Sequence, residues 1–348
     1  MAFVAGKRVR VAAAAVAVAA LLTAACGVSP PVGLVPAGQP GAHGPCGFER
    51  TDLTNDHDWR HKVFVLEPTG DGEPWTGGSC DDDSRPVAFL AHGYAGNIYE
   101  GYQGLLEHLV SNGFVVVFPG YSIEFDPPSQ YETVDTGFRQ GVEFSKRADP
   151  SRFGIVGHSF GGGMLYRLVQ DAAARGWGSE AVWAANFAPY FAMFNPGDGP
   201  IDLPDHMRFT MVTYQNDAFV DARIAIEQFA SIDVADEAAQ HVVVYSDRTG
   251  TPSLEAEHIG IVTVEVLPNL SSINTDHFDH WVGFRSFDAT GRCALDGEWC
   301  DTDLSYTGTW PDGRAVRPAV VRDDQPDVGP IPALIECEVW WLNPRPCP

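Results

Sequence analysis

A serine within a glycine-rich segment is the residue of this chain whose setting most clearly suggests chemistry. Ser159 stands in the segment GHSFG, residues 157–161, which fits the pattern G-x-S-x-G. An apolar run rich in β-branched residues, 153–156, comes before it, and a helical pattern follows from Met164. A strand that turns sharply into a helix presents a serine hydroxyl at the turn, and glycines on either side relieve the crowding there. This arrangement predicts that Ser159 is a nucleophile.

A serine hydroxyl is a weak nucleophile near neutral pH, so it needs a base and an acid that orients that base. A sharp strand-to-helix turn that presents a nucleophile in this way is called a nucleophile elbow. In chains with such an elbow, the order along the sequence is Ser, then Asp or Glu, then His. Asp217 is the first carboxylate in a suitable place, because it closes an apolar strand pattern and precedes a helical one. Asp221, one helical turn further on, is the alternative, although an acid there would also complement a helix dipole. We favour Asp217 as the orienting acid.

Three histidines after the last predicted core strand, His258, His277 and His280, are candidates for the general base. His258 lies in the segment EHIGIV, where a glycine and apolar residues would let its ring pack near the nucleophile. His277 and His280 lie in DHFDHW, an amphipathic helical pattern, where they would instead pair with aspartates or help to pack the helix. Spacing from the last strand favours His258 as the base and leaves the other two as alternatives.

A second strand end carries a His-Gly pair, in the segment FLAHGYAG at residues 89–96. Acyl transfer requires two backbone N–H groups that point at the oxyanion developing on the carbonyl oxygen. Phe160, directly after the nucleophile, would supply one donor, and we predict that Tyr94 supplies the other.

The elements that must position these residues alternate between short apolar β-runs and helical patterns. Such alternation is typical of a parallel sheet covered by helices on both faces. We predict strands at residues 62–66, 87–91, 115–118, 153–156, 182–188, 209–214 and 242–245, and helices at 99–111, 131–146, 162–174 and 220–231. The candidate residues all follow strand ends, where ligands bind in sheets of this kind.

In this order along the chain, the segments HGYAG, GHSFGGGM, QNDAFV and EHIGIV resemble those of the α/β-hydrolase superfamily. Within that superfamily the chain resembles secreted bacterial lipases and cutinase-like polyester and ester hydrolases, over about residues 62–262. The resemblance implies an α/β-hydrolase fold with a mostly parallel central sheet. It implies a triad of Ser159, Asp217 and His258, with Tyr94 and Phe160 as oxyanion donors. His158 points away from the serine in related folds, so a structural role is expected for it.

The function expected on these grounds is carboxylic-ester hydrolysis by a serine hydrolase, without cofactor or metal. A serine peptidase or amidase is one alternative, since the triad does not choose between ester and amide. A non-catalytic binding lipoprotein on the same scaffold is another, since fold does not fix function. The intact elbow disfavours a mere scaffold, which needs no serine in a strained turn.

The N-terminal residues predict export. A basic region at residues 7–10 is followed by an apolar stretch at 11–22, which is too short to span a bilayer comfortably and is typical of a secretory signal. The segment LTAACG, residues 22–27, resembles the lipobox of bacterial lipoproteins, in which the cysteine is lipidated. We expect lipidation of Cys26 and an extracytoplasmic protein, anchored or secreted. Cleavage that leaves Cys26 as an ordinary thiol is the alternative.

Cysteine parity agrees with export. Of the seven cysteines, six remain when Cys26 is set aside, and an even set in an exported protein is typical of disulfides. Plausible pairs are Cys46–Cys80, Cys293–Cys300 and Cys337–Cys347. The spacing of paired cysteines that a zinc site needs is missing.

The predicted organisation is a signal peptide at 1–25, a flexible tether at 26–45, an α/β-hydrolase domain at 46–290 and a Cys/Pro-rich C-terminal extension at 291–348 that packs on the same domain. The formal net charge of −24 repels nucleic acid and other polyanions. We expect a small-molecule, lipid or polyester ester as substrate, no nucleic-acid partner, membrane contact only through a lipid anchor, and a monomer.

Overall fold

The computed structural model describes residues 35–194, 200–251, 253–263 and 275–322. The predicted signal peptide, Cys26 and the predicted Cys337–Cys347 pair lie outside the described residues. Within these ranges, no helix is both long and apolar enough to cross a bilayer.

Eleven strands are found in the described part of the chain. They are β1 Gly47–Thr54, β2 Lys62–Thr69, β3 Arg85–Ala91, β4 Val115–Pro119, β5 Ala148–His158, β6 Ala181–Phe187, β7 Ile201–Asp202, β8 Arg208–Tyr214, β9 Ile232–Asp233, β10 Ala239–Val244 and β11 Val320–Arg322. Nine of them form the main sheet, in the order β1-β2-β4-β3-β5-β6-β8-β10-β11, and β7 pairs with β9 in a small separate sheet. The six central strands of the main sheet run parallel, whereas β1, β2 and β11 pair antiparallel at its edges.

Helices cover both faces of this sheet. They are α1 Gln103–Ser111, α2 Pro127–Phe144, α3 Ser159–Ala174, α4 Ala222–Ser231 and α5 Arg285–Asp296, the last preceded by a π-helical turn, Asp279–Phe284. One apolar cluster joins the sheet to α1 and α5, and a second joins it to α2, α3 and α4. Strands β3, β4 and β6 are buried along their whole length, which is why they read as continuous apolar runs.

The predicted fold class is confirmed: the central sheet is mostly parallel, with helices on both faces. Each of the seven predicted strands is present, and β1, β7, β9 and β11 are additional. Strand β1 had no apolar run to reveal it, because all eight of its residues, GFERTDLT, are exposed or half-buried at the sheet edge.

The predicted helix at 99–111 is divided in two. A short 3₁₀ turn, Tyr99–Gly101, ends at Tyr102, whose φ of −134° is not helical, and α1 begins only after it. The backbone of Tyr102 forms a bridge with Thr263, and its side chain lies fully buried. A helical pattern in the sequence cannot show such a long-range tie.

Residues 35–45, the described part of the predicted flexible tether, lie packed against the domain. The Gly41 N–H donates to the buried carboxylate of Asp288 at 2.8 Å, and Val35 and Ala42 bury against Trp281. The tether prediction is therefore wrong for these residues. Their Gly and Pro content signals the lack of regular structure, but it does not prevent packing.

Both described disulfide pairs agree with prediction, Cys46–Cys80 and Cys293–Cys300. The second joins α5 to the loop that follows it. The predicted domain limit at residue 290 falls inside α5, which packs on β6 and β8. The predicted limit at residue 290 therefore divides a helix that packs on the main sheet.

Candidate active site

The turn from β5 into α3 holds Ser159. Strand β5 ends at His158 and α3 begins at Ser159, whose φ of 52° is in the left-handed region. That conformation is costly for a non-glycine residue, and it persists where the surroundings impose it. A side chain on Gly161 would come within 2.1 Å of the Ala91 carbonyl oxygen, and one on Gly157 within 2.9 Å of Gly162 Cα. The pattern G-x-S-x-G is thus required by the close approach of neighbouring backbone.

Ser159, His258 and Asp217 are brought together in one hydrogen-bonded chain. The Nε2 atom of His258 lies 2.9 Å from Ser159 Oγ, and its Nδ1 atom lies 2.7 Å from Asp217 Oδ2. A carboxylate can only accept, so Nδ1 carries the proton and Nε2 is free to accept the serine proton. The His258 and Asp217 side chains are only 9% and 5% exposed, which strengthens their electrostatic interaction.

The loop after β8 holds the Asp217 carboxylate. Its Oδ1 atom accepts the backbone N–H groups of Phe219 and Val220, both at 2.8 Å, which leaves Oδ2 for His258. Asp221, the alternative acid, caps α4 by accepting the Arg223 N–H and also pairs with the Arg223 guanidinium. The arginine holds the pKa of Asp221 below its usual value. Asp221 is thereby committed to the helix terminus.

The loop that carries His258 is tied to the rest of the molecule at both ends. Before His258, the Asn216 N–H donates to the Ala256 carbonyl at 2.8 Å. After it, the Thr263 N–H donates to the Gly101 carbonyl at 3.0 Å, and the Thr263 hydroxyl accepts the Gly104 N–H at 2.8 Å. These contacts place the imidazole above the elbow without any regular secondary structure.

His277 and His280 bond to other partners. His277 Nε2 contacts the Thr307 carbonyl at 2.6 Å, and His280 Nδ1 contacts the Gly41 carbonyl at 3.1 Å. Burial lowers the pKa of both rings. Of the three candidate histidines, the structure brings only His258 to Ser159.

Of the two predicted oxyanion donors, Phe160 lies in the elbow and Tyr94 lies in the loop next to it. Phe160 is in the first turn of α3, where backbone N–H groups have no acceptor within the helix. Tyr94 is the second residue of a turn closed by the Gly96 N–H and the Gly93 carbonyl at 2.9 Å, a bond that does not use its own N–H. This loop touches the elbow, since a Cβ on Gly93 would lie 3.3 Å from Ser159 Cβ. The Gly161 N–H further ties α3 to the His92 carbonyl at 3.0 Å.

Aromatic side chains surround the serine. Tyr94 and Phe125 are 45% and 41% exposed, and both rings lie about 6 Å from that of Phe160. On the other side, the 62% exposed ring of Phe219 lies 5.2 Å from that of His258. We call the exposed rings of Tyr94, Phe125 and Phe219 the aromatic rim. It makes the approach to Ser159 apolar.

Among the described residues, no group of three or more His, Cys, Asp or Glu side chains is arranged to hold a metal ion. Asp276 and Asp279 lie on either side of His277 in the sequence, and desolvation raises the pKa of both carboxyls, that of Asp276 to about 6. Their backbone contacts close the start of the helical segment that leads into α5.

Two residues that contact the candidate active site could not be recognised as such from the sequence. Tyr102 and His158 are buried at 1% and 3% exposure, directly beneath the elbow and the His258 loop. The sequence predicts only a structural role for His158, and it places Tyr102 within a predicted helix.

The α/β-hydrolase fold is defined by its strand order and by the places of its functional loops. Here the elbow follows β5, the neighbouring loop follows β3, and the loops of Asp217 and His258 follow β8 and β10. The expected α/β-hydrolase fold is thus confirmed.

No protein-family profile matches the chain, and no curated protein matches it. Among solved structures, the chain is similar to a C6-C4 SN3 inhibited esterase B from Lactobacillus rhamnosis, with 15% identity over 71% of this chain and 88% of that chain and a TM-score of 0.46. It is similar to a predicted CIB-like hydrolase from Thermoplasma acidophilum, with 17% identity over 57% and 87% and a TM-score of 0.36. It is also similar to an esterase from Pyrobaculum calidifontis, with 14% identity over 57% and 75% and a TM-score of 0.41.

Proposed function

We propose that this protein is a serine hydrolase that cleaves carboxylic esters through an acyl-enzyme on Ser159. The observation that carries the proposal is the hydrogen-bonded chain from Ser159 Oγ through the His258 ring to the Asp217 carboxylate. The strained backbone of Ser159 supports it, because such strain is found where function needs a side chain in a set position.

In the first half of the reaction, Ser159 Oγ attacks the ester carbonyl carbon while its proton passes to His258 Nε2. Asp217 stabilises the imidazolium that forms. The N–H groups of Tyr94 and Phe160 would bind the oxyanion of the tetrahedral intermediate. When the intermediate collapses, the bond to the alcohol oxygen breaks, and His258 gives the proton to the leaving alcohol.

In the second half, a water molecule replaces the alcohol. His258 Nε2 takes one proton from this water as its oxygen attacks the acyl carbonyl carbon. Collapse of the second intermediate breaks the bond to Ser159 Oγ, which regains the proton from His258. The carboxylic acid leaves, and the serine hydroxyl is restored.

The aromatic rim supports an ester with an apolar portion as the substrate. Exposed apolar groups that cluster at one place commonly mark a binding surface. Such a surface would take up the apolar part of a small-molecule, lipid or polyester ester while the ester carbonyl reaches Ser159.

Labelling with a fluorophosphonate probe, followed by hydrolysis of acyl esters and matched acyl amides, tests this proposal. We expect stoichiometric labelling of Ser159, no labelling of Ser159→Ala, and faster hydrolysis of the esters. Faster turnover of the amides would instead make the protein a peptidase or amidase. A folded protein that is neither labelled nor active on any member of the panel would be a binding protein.

We also propose that the chain is exported and anchored by lipid on Cys26, with the alternative of a secreted, unanchored form. The signal-like N-terminus and the lipobox-like segment support this proposal. Mass spectrometry of the mature N-terminus tests it directly: a lipidated Cys26 is expected. An unmodified Cys26 in the membrane fraction would contradict the anchor.

A further inference from the structure

A buried chain of hydrogen bonds runs beneath the candidate active site, from the loop after β3 to the loop that carries His258. The Gly93 N–H donates to Tyr102 Oη at 2.8 Å. Tyr102 Oη lies 2.6 Å from His158 Nδ1, and His158 Nε2 lies 3.0 Å from the main-chain carbonyl oxygen of His258. Three segments that are far apart in sequence are joined in this way.

The two ends of this chain determine where its protons are. A backbone N–H can only donate, and a backbone carbonyl can only accept. Nε2 of His158 must therefore carry a proton to bond with the His258 carbonyl. In a neutral ring Nδ1 is then an acceptor, so the Tyr102 hydroxyl donates to it and accepts the Gly93 N–H. Each hydrogen bond in this series therefore points from donor to acceptor in the same direction, from Gly93 towards His258. Only the Nε2–H tautomer of His158 allows this.

Burial keeps the His158 ring neutral. The ring is surrounded by protein, and desolvation together with the neighbouring His258 lowers its pKa to about 3. A protonated ring could not accept from Tyr102, so neutrality is a condition for an intact chain.

We propose that Tyr102 and His158 are positioning residues for the reaction at Ser159, which together couple the oxyanion loop to the general base. This inference rests on the proposed function. The buried chain of hydrogen bonds holds Gly93, the residue directly before the oxyanion donor Tyr94. At its other end it holds the backbone of His258. One hydrogen-bonded unit thereby sets the relative places of the oxyanion donor and the base.

The surrounding packing supports this coupling. A Cβ on Gly93 would lie 2.8 Å from His158 Nδ1, so only glycine permits this approach. The Tyr102 backbone bridges to Thr263 in the loop of the base, and the helical pattern breaks at Tyr102 where this bridge forms. Tyr102 therefore contacts the loop of the base through its backbone and the oxyanion loop through its hydroxyl.

The importance of such positioning follows from the geometry that acyl transfer needs. A displacement of about 1 Å at the reacting groups can cost roughly 10²-fold in rate. Tyr102 and His158 do not touch the reacting atoms, so their loss should lower kcat rather than remove the reaction.

Three variants test the proposal: Tyr102→Phe, which removes only the hydroxyl, His158→Leu and His158→Gln. The side-chain amide N–H that His158→Gln introduces can still donate to the His258 carbonyl, whereas a leucine side chain cannot. The matched control is Tyr131→Phe, since Tyr131 is also buried and its hydroxyl donates to Asp171 at 2.5 Å, near the opposite end of α3 from Ser159. Activity on a short acyl ester is measured per serine titrated with a fluorophosphonate.

We expect kcat per titrated serine to fall about 10- to 10²-fold in Tyr102→Phe and His158→Leu, with KM changed far less. His158→Gln should recover part of the loss, and Tyr131→Phe should resemble the natural protein. If Tyr102→Phe and His158→Leu lower only the melting temperature or the fraction of titratable serine, the proposal is overturned. Retention of activity by Ser159→Ala in the same assay would instead reject the proposed function.

A measurement on the unaltered protein covers the case in which the His158 variants do not fold. Nitrogen-15 NMR of the imidazole rings identifies which nitrogen of each histidine is protonated, and connectivity to the neighbouring residues of the unaltered protein gives the assignment. We expect His158 in the Nε2–H tautomer. An Nδ1–H tautomer of His158 would contradict the buried chain of hydrogen bonds, and with it the proposal, whatever the activity of the variants.

Discussion

Two histidine–aspartate pairs in this molecule use the same residue types for different ends. In the first, His258 bonds to Asp217 at 2.7 Å; in the second, His108 bonds to Asp288 at 3.0 Å. The free nitrogen of His258 meets a serine hydroxyl, whereas among the described residues no hydrogen-bond partner lies within reach of His108 Nδ1. The chemistry of the pair therefore depends on what its outer nitrogen faces.

The two carboxylates differ in the same way. Asp217 uses its spare oxygen to order its own loop, which leaves the His258 ring beside Ser159 and next to the aromatic rim. Asp288 uses an oxygen to bind the Gly41 N–H, and the ring of His108 is stacked on Phe284 at 4.2 Å, with no exposure. The first pair serves the candidate active site, and the second fastens the segment around Gly41 to α1 and α5.

The largest effect should come from the first pair, when its histidine or the serine that this histidine faces is replaced by alanine. Ser159→Ala and His258→Ala should each lower kcat/KM for a short acyl ester on the order of 10⁶-fold, because the triad acts as a unit. His280→Ala and His277→Ala should keep most of the activity, since neither ring approaches the serine. Steady-state kinetics on folded variants checks this. A dead His277→Ala beside an active His258→Ala would refute the assignment of the base.

Isosteric substitution of the two aspartates compares the pairs most directly. Asp217→Asn should lower kcat by about 10⁴-fold, because the amide can no longer hold the required tautomer of His258. Asp288→Asn should leave kcat nearly unchanged but should lower the free energy of unfolding by about 1–3 kcal/mol, since buried partners lose an acceptor. Kinetics and denaturant unfolding on both variants separate the two effects. Equal losses of activity would contradict the distinction.

The histidines behind the site predict a dependence of stability on pH. Burial lowers the pKa of His92 and of His158 to about 3 in the folded protein. The unfolded chain takes up protons near pH 6.5, so their contribution is complete above that pH and is lost as the pH falls towards 3. Each ring should contribute a slope of about 1.4 kcal/mol per pH unit within this window.

Urea unfolding between pH 7.5 and 5 measures that slope, and His158→Gln serves as the comparison. The variant should be less stable than the natural protein at pH 7.5, but its stability should fall less steeply with acid. An identical slope in both proteins would show that His158 is already protonated in the folded state or never titrates in the unfolded one.

The smallest effect is expected at the segment that the second pair fastens. In Gly41→Ala the new Cβ would meet the His280 carbonyl oxygen at 2.2 Å, at a φ of +95°, and the free energy of unfolding should fall by about 1–3 kcal/mol. Gly38→Ala is the matched control, since its φ is +78° but nothing lies within 4 Å of the new Cβ. It should cost about 1 kcal/mol. Activity should persist in both, and equal costs would show that strain rather than the clash decides.

The residues of the candidate site could be read from the sequence because each has a local signature. Ser159 is framed by glycines that close backbone contacts require, and Asp217 follows a buried strand at the place where the fold puts an acid. His258 is favoured by its position after the last strand and by its glycine and apolar neighbours, with two other histidines still open. The distances that separate these histidines exist only in the folded molecule.

What the sequence by itself determined is the set of alternating buried strands and helices and the turn that exposes Ser159, because periodicity and glycine placement act over a few residues. Only the tertiary structure decided which histidine meets the serine, that residues 35–45 lie on the domain, and that Tyr102 leaves the helical pattern to join His158 and Gly93. The physical reason is range. Hydrogen bonds between residues 56 or 100 positions apart, such as Tyr102 to His158 and His158 to His258, leave no local pattern in the chain.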